Sequence, residues 1–464
     1  MKRLAVIFGI FTLLLVSLSN AQQRWERTYG GTGTDWGYSV QQTTDGGYIV
    51  AGVTTSFGNS DQVYLVKTNA SGDTLWTRTY GGPDFEYGYS VRQTQDAGYI
   101  VAGATYYYGV PAQVYLVKTN ATGDTLWTRT YGGASDDRGY SVQQTSDGGY
   151  IVAGWTESFG NSDQVYLVKT NASGDTLWTR TYGGTNDDEG YSVQQTTDGG
   201  YIVAGYTYSF GNAAQVYLIK TNSGGDTLWT RTYGGTNVDG GYSVQQTQDG
   251  GYIVAGETYS FGNGSQVYLV KTNSGGDTLW TRTYGGTDDD CGSSVKQTTD
   301  GGYVVAGGYN YYGSDGQVYL IKTNASGDTL WTRTYGGTND DGGGSVQQTQ
   351  DGGYIVAGAT TSFGNGYQVY LIKTDANGNV GTETERGQGF EGSRVQGFKI
   401  TPNPFTSFAT LPGHEAERFS LYDISGRLVG TYRGDRVGEG LAPGVYFLRP
   451  QDGLSSPVRV VKVR

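Results

Sequence analysis

Tryptophan returns every 51 residues. Trp25, Trp76, Trp127, Trp178, Trp229, Trp280 and Trp331 each open the element Trp-x-Arg-Thr-Tyr-Gly-Gly, and no insertion breaks the register. A unit this short cannot bury its own apolar face, so each copy must pack on its neighbours. Within one period four strand-like runs stand out: Ser141–Thr145, Tyr150–Gly154, Gln164–Lys169 and Thr176–Tyr182. Turn chemistry separates them, as Ser146-Asp147-Gly148-Gly149, Ser158-Phe159-Gly160-Asn161, Asn171-Ala172-Ser173-Gly174-Asp175 and Gly183-Gly184. With 79 glycines, 40 tyrosines and only 8 prolines, the chain is suited to many short strands and tight turns.

A four-stranded antiparallel meander of this length predicts the blade of a β-propeller. The phase of the repeat predicts how the ring closes. The ordered body opens on the Trp strand alone (Trp25–Tyr29), while the last copy ends after its third strand (Gln368–Lys373) and has Thr382 where a Trp would fall. The first strand can therefore complete the last blade, giving an all-β, seven-bladed β-propeller of 51-residue four-stranded blades with no exposed sheet edge at the join. An open solenoid is the alternative, but it would need atypical capping repeats. Strands are lettered a to c from the inside outward, with the Trp strand as outermost d. The repeated Trp is expected to be buried glue, so that Trp178→Ala would cost about 3–5 kcal/mol.

Both ends carry transport signals. Lys2-Arg3, the apolar run Leu4–Leu18 and the small residues Ser19-Asn20-Ala21 predict a signal peptide over 1–21, cleaved after Ala21. That run is shorter than a spanning helix needs, so no stable membrane insertion is expected. The propeller is assigned to 22–380 and a polar, glycine-rich linker to 381–397. Beyond it come Thr401-Pro402-Asn403-Pro404-Phe405, then Phe419–Arg427 (FSLYDISGR), Leu441–Arg449 (LAPGVYFLR) and a closing strand Val458–Arg464.

These stretches make residues 398–464 resemble the type A C-terminal sorting domain of the type IX secretion system (T9SS). The resemblance implies a small C-terminal β-sandwich, engagement of the secretion machinery, and release or attachment at the outer cell surface. The repeat itself, with DGGYIVAG followed by QVYLVKTNASGDTLWTRTYGG, resembles secreted bacterial propeller repeats found with such tails. Its Gly-Asp-Thr-Leu-Trp turn is similar to the Trp motifs of quinoprotein-like propellers, which implies fold alone.

No catalytic centre is legible. The single histidine, His414, lies in the tail, which excludes a Ser/His/Asp arrangement in the ring and leaves no zinc set. Cys291 stands alone, so no internal disulfide can form. A net charge of −12 argues against a nucleic-acid partner. Asp35, Asp137, Asp239 and Asp341 recur from loop to loop and read as solvated turn residues bonded to their own backbone. No cofactor is expected, calcium at the Asp-rich loops being the one candidate. Asn69, Asn120, Asn171 and Asn324 form Asn-x-Ser/Thr triplets that read as turn residues.

The copies differ from one another mainly on one side of the ring. The a-to-b and c-to-d turns are nearly constant. Variation gathers in the d-to-a loop (Trp36, Tyr87, Arg138, Glu189) and after strand b (Trp155, Tyr206, Glu257, then Tyr106, Glu157, Tyr208, Tyr259). Aromatic and charged loop residues on a rigid scaffold are what recognition needs. The sequence thus points to a monomeric, secreted or surface-attached propeller that binds a glycan polymer or a protein through this rim. Two alternatives stand beside it: a polysaccharide-active enzyme using rim carboxylates, and a purely structural surface protein.

Overall fold

The computed structural model describes residues 24–58, 60–311, 313, 315–381, 406–411, 418–423, 427–450 and 458–462. Residues 1–21, assigned above to a signal peptide, most of the stretch 381–397 assigned to a linker, and His414 lie outside the described residues. The chain divides into two compact units, 1–388 and 389–464.

The first unit is a seven-bladed β-propeller. After β1 (Trp25–Tyr29), blade 1 runs β2 (Asp35–Gln42), β3 (Tyr48–Thr54), β4 (Gln62–Thr68) and β5 (Thr74–Tyr80), hydrogen-bonded in that order. The same unit recurs to blade 7, where β26 (Asp341–Gln348), β27 (Tyr354–Thr360) and β28 (Gln368–Thr374) are completed by β1. β1 lies antiparallel to β28, with Trp25 opposite Lys373 and Tyr29 opposite Val369, so the expected closure is present.

Packing between blades explains the composition of strand b. Tyr150–Thr156 is buried at every position because one face meets the preceding blade and the other the following one. A typical layer joins Ile151, Ala153, Val165 and Leu167 of blade 3 to Val193, Tyr201, Val203, Tyr217 and Ile219 of blade 4. The layer across the closure has the same make-up, with Trp25, Tyr29, Val369 and Leu371 against Val40, Tyr48 and Tyr64. Strand a bulges between Gly139 and Ser141. At the facing Gly154 a Cβ would fall 1.7 Å from the Arg138 carbonyl oxygen, so only glycine admits this approach.

The repeated Trp is not the buried anchor expected from the pattern. Trp25 is 4% exposed, but Trp178 is only half-buried, because strand d is the outer edge of its blade and has no further layer over it. Its ring packs edge-on against Tyr201 of the next blade at 5.8 Å, beneath Gly225 (φ +80), while Arg180 lies over it at 5.6 Å. The fully buried aromatic of each blade is the first tyrosine of strand b, Tyr201 in blade 4 at 1% exposure. Polar ties reinforce the same seam. Tyr182 Oη donates to the Gly225 carbonyl at 2.6 Å, and Tyr29 Oη does likewise to Gly72 at 2.7 Å.

The second unit contains one antiparallel sheet in the order β30 (Leu428–Arg433), β29 (Arg418–Asp423), β31 (Gly444–Pro450), β32 (Val458–Lys462), and an isolated bridge of Ala409 with Val437. Phe419, Leu421, Leu448 and Val460 form its core. Where a β-sandwich was expected, the described residues show this single sheet and the bridge.

Candidate functional site: the variable rim and channel mouth

The d-to-a and b-to-c loops share one rim and are bonded together. Asp35 N–H donates to the Tyr367 carbonyl at 2.9 Å, and Thr55 N–H to the Thr34 carbonyl at 2.8 Å. The recurring loop aspartates do this joining and are not the solvated residues expected. Asp35, Asp137 and Asp239 are fully buried and Asp341 is 4% exposed. Asp35 accepts the Gly31 N–H at 2.8 Å and the Ser56 hydroxyl at 2.6 Å, which knits the two loops into one frame. The buried carboxylates of Asp35 and Asp239 are tolerable there because each of their oxygens is met by a donor, the Thr54 and Thr258 hydroxyls serving Oδ1, whereas Oδ1 of Asp137 and Asp341 has no such partner. The Asn-x-Ser/Thr positions also work in turns, Asn171 Oδ1 accepting the Ser173 and Asp175 N–H groups at 2.9 Å. Among the described residues, no group of three His, Cys, Asp or Glu converges as a metal site would require.

On this frame the side chains of blades 1 to 5, joined by Tyr367 of blade 7, form a connected aromatic and charged arc. Trp36 lies 4.6 Å from Tyr367 and 6.1 Å from Tyr38. Tyr87 stacks on Tyr89 at 5.9 Å, meets Tyr106 edge-on at 5.5 Å, and donates its hydroxyl to Asp61. Arg138 is clamped between the rings of Tyr106 and Trp155, each 5.0 Å away. Trp155 is 5% exposed; its role is to support Arg138 from below, and its Nε1 donates to Tyr140 Oη at 3.1 Å. Glu189 accepts hydroxyls from Tyr191 at 2.7 Å and Tyr206 at 2.5 Å, and Tyr208 packs edge-on against Tyr206 with 41% of its surface exposed. Glu157 is exposed. Its charge, with those of Glu189 and Asp187, adds to burial to push Asp163 up to about 6, against the pull of Arg138. Glu257 is buried and accepts from Tyr242 and from Ser265, and Tyr259 is half-buried. Cys291 is buried, and that burial pushes its thiol up to about 12.

Three contributors escaped the sequence reading. The first is the tyrosine in the bulge of strand a. Tyr38, Tyr89, Tyr140, Tyr191 and Tyr242 stand side by side at the channel mouth, with ring centroids 5.4, 5.1, 4.9 and 5.3 Å apart. Burial, with smaller charge effects, raises Tyr38 to about 12 and raises Tyr89, Tyr140 and Tyr191 as well, so these four phenols stay neutral donors. Blades 6 and 7 place Ser293 and Gly344 there instead, and Tyr311 overlies Gly308 nearby. The second is the residue ahead of strand c, which supplies Asp61, Asp163 and Tyr367. Its variation from copy to copy was a readable signal. The third is the blade-2 hairpin. Its strands lengthen to Tyr99–Tyr107 and Val110–Thr119, and the tip presents Tyr107 and Tyr108 at 56% and 96% exposure beside Phe85. Tyr106-Tyr107-Tyr108-Gly109-Val110-Pro111 stands where five of the other six copies have Ser-Phe-Gly-Asn, so the departure was visible.

The family comparison agrees with the architecture. A family model described as a domain of unknown function (DUF5122) beta-propeller matches residues 145–176. That match falls within blade 3. Regulatory protein FlaEY of Caulobacter vibrioides is 26% identical over 289 residues, 58% of this chain and 26% of its own length, so the chain spans about a quarter of that relative. Among solved structures, a protein of unknown function from Bacteroides caccae is similar at 13% identity and TM-score 0.38, covering 61% of this chain and 93% of that one. The Pan2 WD40 domain of Neurospora crassa is similar at 10% identity and TM-score 0.45, covering 73% and 95%.

Proposed function

We propose that this chain is an exported binding propeller that recognises a polymer, in the first place a glycan, on the rim of blades 1 to 5. The observation that carries the reading is the arc itself. Aromatic rings touch from Tyr367 through Trp36, Tyr89 and Tyr140 to Tyr208, on the one rim where the copies diverge. Such rings offer flat apolar faces with fixed hydroxyls at low entropic cost, since packing already holds their rotamers. Arg138 and Glu189 add charges whose positions are set by neighbouring rings and phenols. The basic start and apolar run of 1–18, and the PNPF and LAPGVYFLR stretches, support export and sorting through the C-terminal unit.

Trp36 and Tyr208 are the right residues to change, because Trp155 is structural. On a glycan array the full mature chain should bind a defined set of polysaccharides, and Trp36→Ala with Tyr208→Ala should weaken binding at least tenfold at an unchanged melting temperature. Turnover of a bound polysaccharide that ceases when one rim acid is removed would replace binding by catalysis. No retained glycan, together with a protein partner captured on the same two residues, would move the reading to protein recognition.

A further inference from the structure

Deeper in the channel, strand a carries a belt of glutamines that ties each blade to the next. Gln41 Oε1 accepts the Gln93 N–H at 2.6 Å, and Gln143, Gln194, Gln245 and Gln347 make the equivalent bond at 2.6 to 2.7 Å. Above it the strand-a serines do the same, Ser39 Oγ accepting from Val91 N–H at 3.2 Å. Two blades break the belt with a cation, Arg92 in blade 2 and Lys296 in blade 6. Neither can accept a hydrogen bond, so the replacement gives up an interblade tie and adds charge to the ring interior. On a seven-blade circle, blades 2 and 6 are nearly opposite. Both side chains line one cavity of about 160 Å3, together with Tyr89, Tyr191 and Ser294. No lining residue is acidic, and among the described residues neither cation has a carboxylate partner. Arg92 Nη1 donates to the Val91 carbonyl at 2.7 Å, which steers the guanidinium while leaving further N–H groups to the lumen.

We infer that the channel is an anion site in which Arg92 and Lys296 hold a compact divalent oxyanion between them, with channel hydroxyls completing its hydrogen bonds. The physical reason is mutual. Two like charges that share one narrow channel, each still partly exposed, repel each other, and an anion of charge −2 converts that repulsion into attraction. Phosphate, sulfate and a short dicarboxylate share this chemistry. Burial and the facing Arg92 already pull Lys296 down to about 8, and Arg92 is the one other charged group lining the cavity. Burial raises Tyr38, Tyr89, Tyr140 and Tyr191 above the ordinary tyrosine value, so these phenols remain neutral at that pH. The channel shares Tyr89 and Tyr191 with the rim arc, but Arg92 and Lys296 belong to the channel alone, so changing them tests this site and not what the rim recognises.

Calorimetry and thermal melts of the mature chain test it, with sulfate, phosphate and succinate each set against chloride at matched ionic strength. Sulfate should bind saturably at pH 7, raise the melting temperature, and lose affinity at least fivefold at pH 9.5, where its own charge is unchanged but Lys296 has shed its proton. Arg92→Gln with Lys296→Gln restores the residue of the other blades and should abolish the response. Lys296→Gln alone should weaken it about tenfold and keeps the test open if the double variant folds poorly. Binding of phosphate as well, or of succinate, identifies the class of head group. The proposal falls if none of the three anions binds saturably, or if the double variant responds as the parent does.

Discussion

Tyr201 and Trp178 show how much a residue's place in the fold matters beyond its type. Both recur every 51 residues, and hydrophobicity alone ranks Trp as the better anchor. Tyr201 is nevertheless sealed between two blades, while Trp178 sits on the outermost strand under a glycine turn and an arginine. Tyr201→Ala should therefore cost about 3–5 kcal/mol, and Trp178→Ala roughly half of that, because less area leaves water and the outer site can relax. Chemical denaturation of the two variants checks the order. Equal losses would return Trp to the role the repeat suggested for it. The same distinction separates Trp155, which supports Arg138, from Trp36, which remains accessible on the rim.

The a-to-b hairpin is the element with the clearest pH response. In blade 3, Asp147 accepts from Thr145 Oγ1 at 2.5 Å, Gly149 N–H at 3.0 Å and the buried Lys169 ammonium at 2.9 Å. Burial opposes ionisation, but these hydrogen bonds and the lysine charge outweigh it and hold Asp147 down to about 2 from an ordinary 3.8. A carboxyl whose folded value lies below its unfolded one stabilises the fold above the unfolded value, and that stability is lost as the pH falls through the folded value. The contribution of these hairpins to the melting temperature should accordingly be level above pH ~5 and drop between ~4 and ~2. The effect of one hairpin is modest, since its carboxylate is half exposed, but the motif repeats around the ring at Asp45, Asp96, Asp198, Asp249, Asp300 and Asp351. Asp147→Asn should lower the plateau and shrink the acid step, and an unaltered step would show that these hairpins do not govern acid stability. The constant turns were legible because a turn's demands are local. The blade-2 hairpin tip was missed because its exposure depends on two strands growing together past the rim.

At the scale of the whole molecule, one strand closes the ring. Removing residues 22–30 would strip β28 of its partner and expose Val40, Tyr48 and Tyr64 of the layer that now joins blades 7 and 1. Such a truncation should melt about 10 °C or more below the parent and self-associate through the bared edge. Thermal melts and gel filtration read both effects, and an unchanged, monomeric truncation would mean that closure contributes little. The sequence alone determined the blade count, the four-strand unit, the strand that completes the circle and the rim on which copies diverge, because each follows from period, phase and local turn chemistry. Only the tertiary structure decided which aromatic is buried, which rim residues touch across blades, and that Arg92 and Lys296 face one another. Those facts depend on side chains brought together from neighbouring repeats and, for Arg92 and Lys296, from about two hundred residues apart in the chain, and a local repeat pattern holds no information about what stands across the channel.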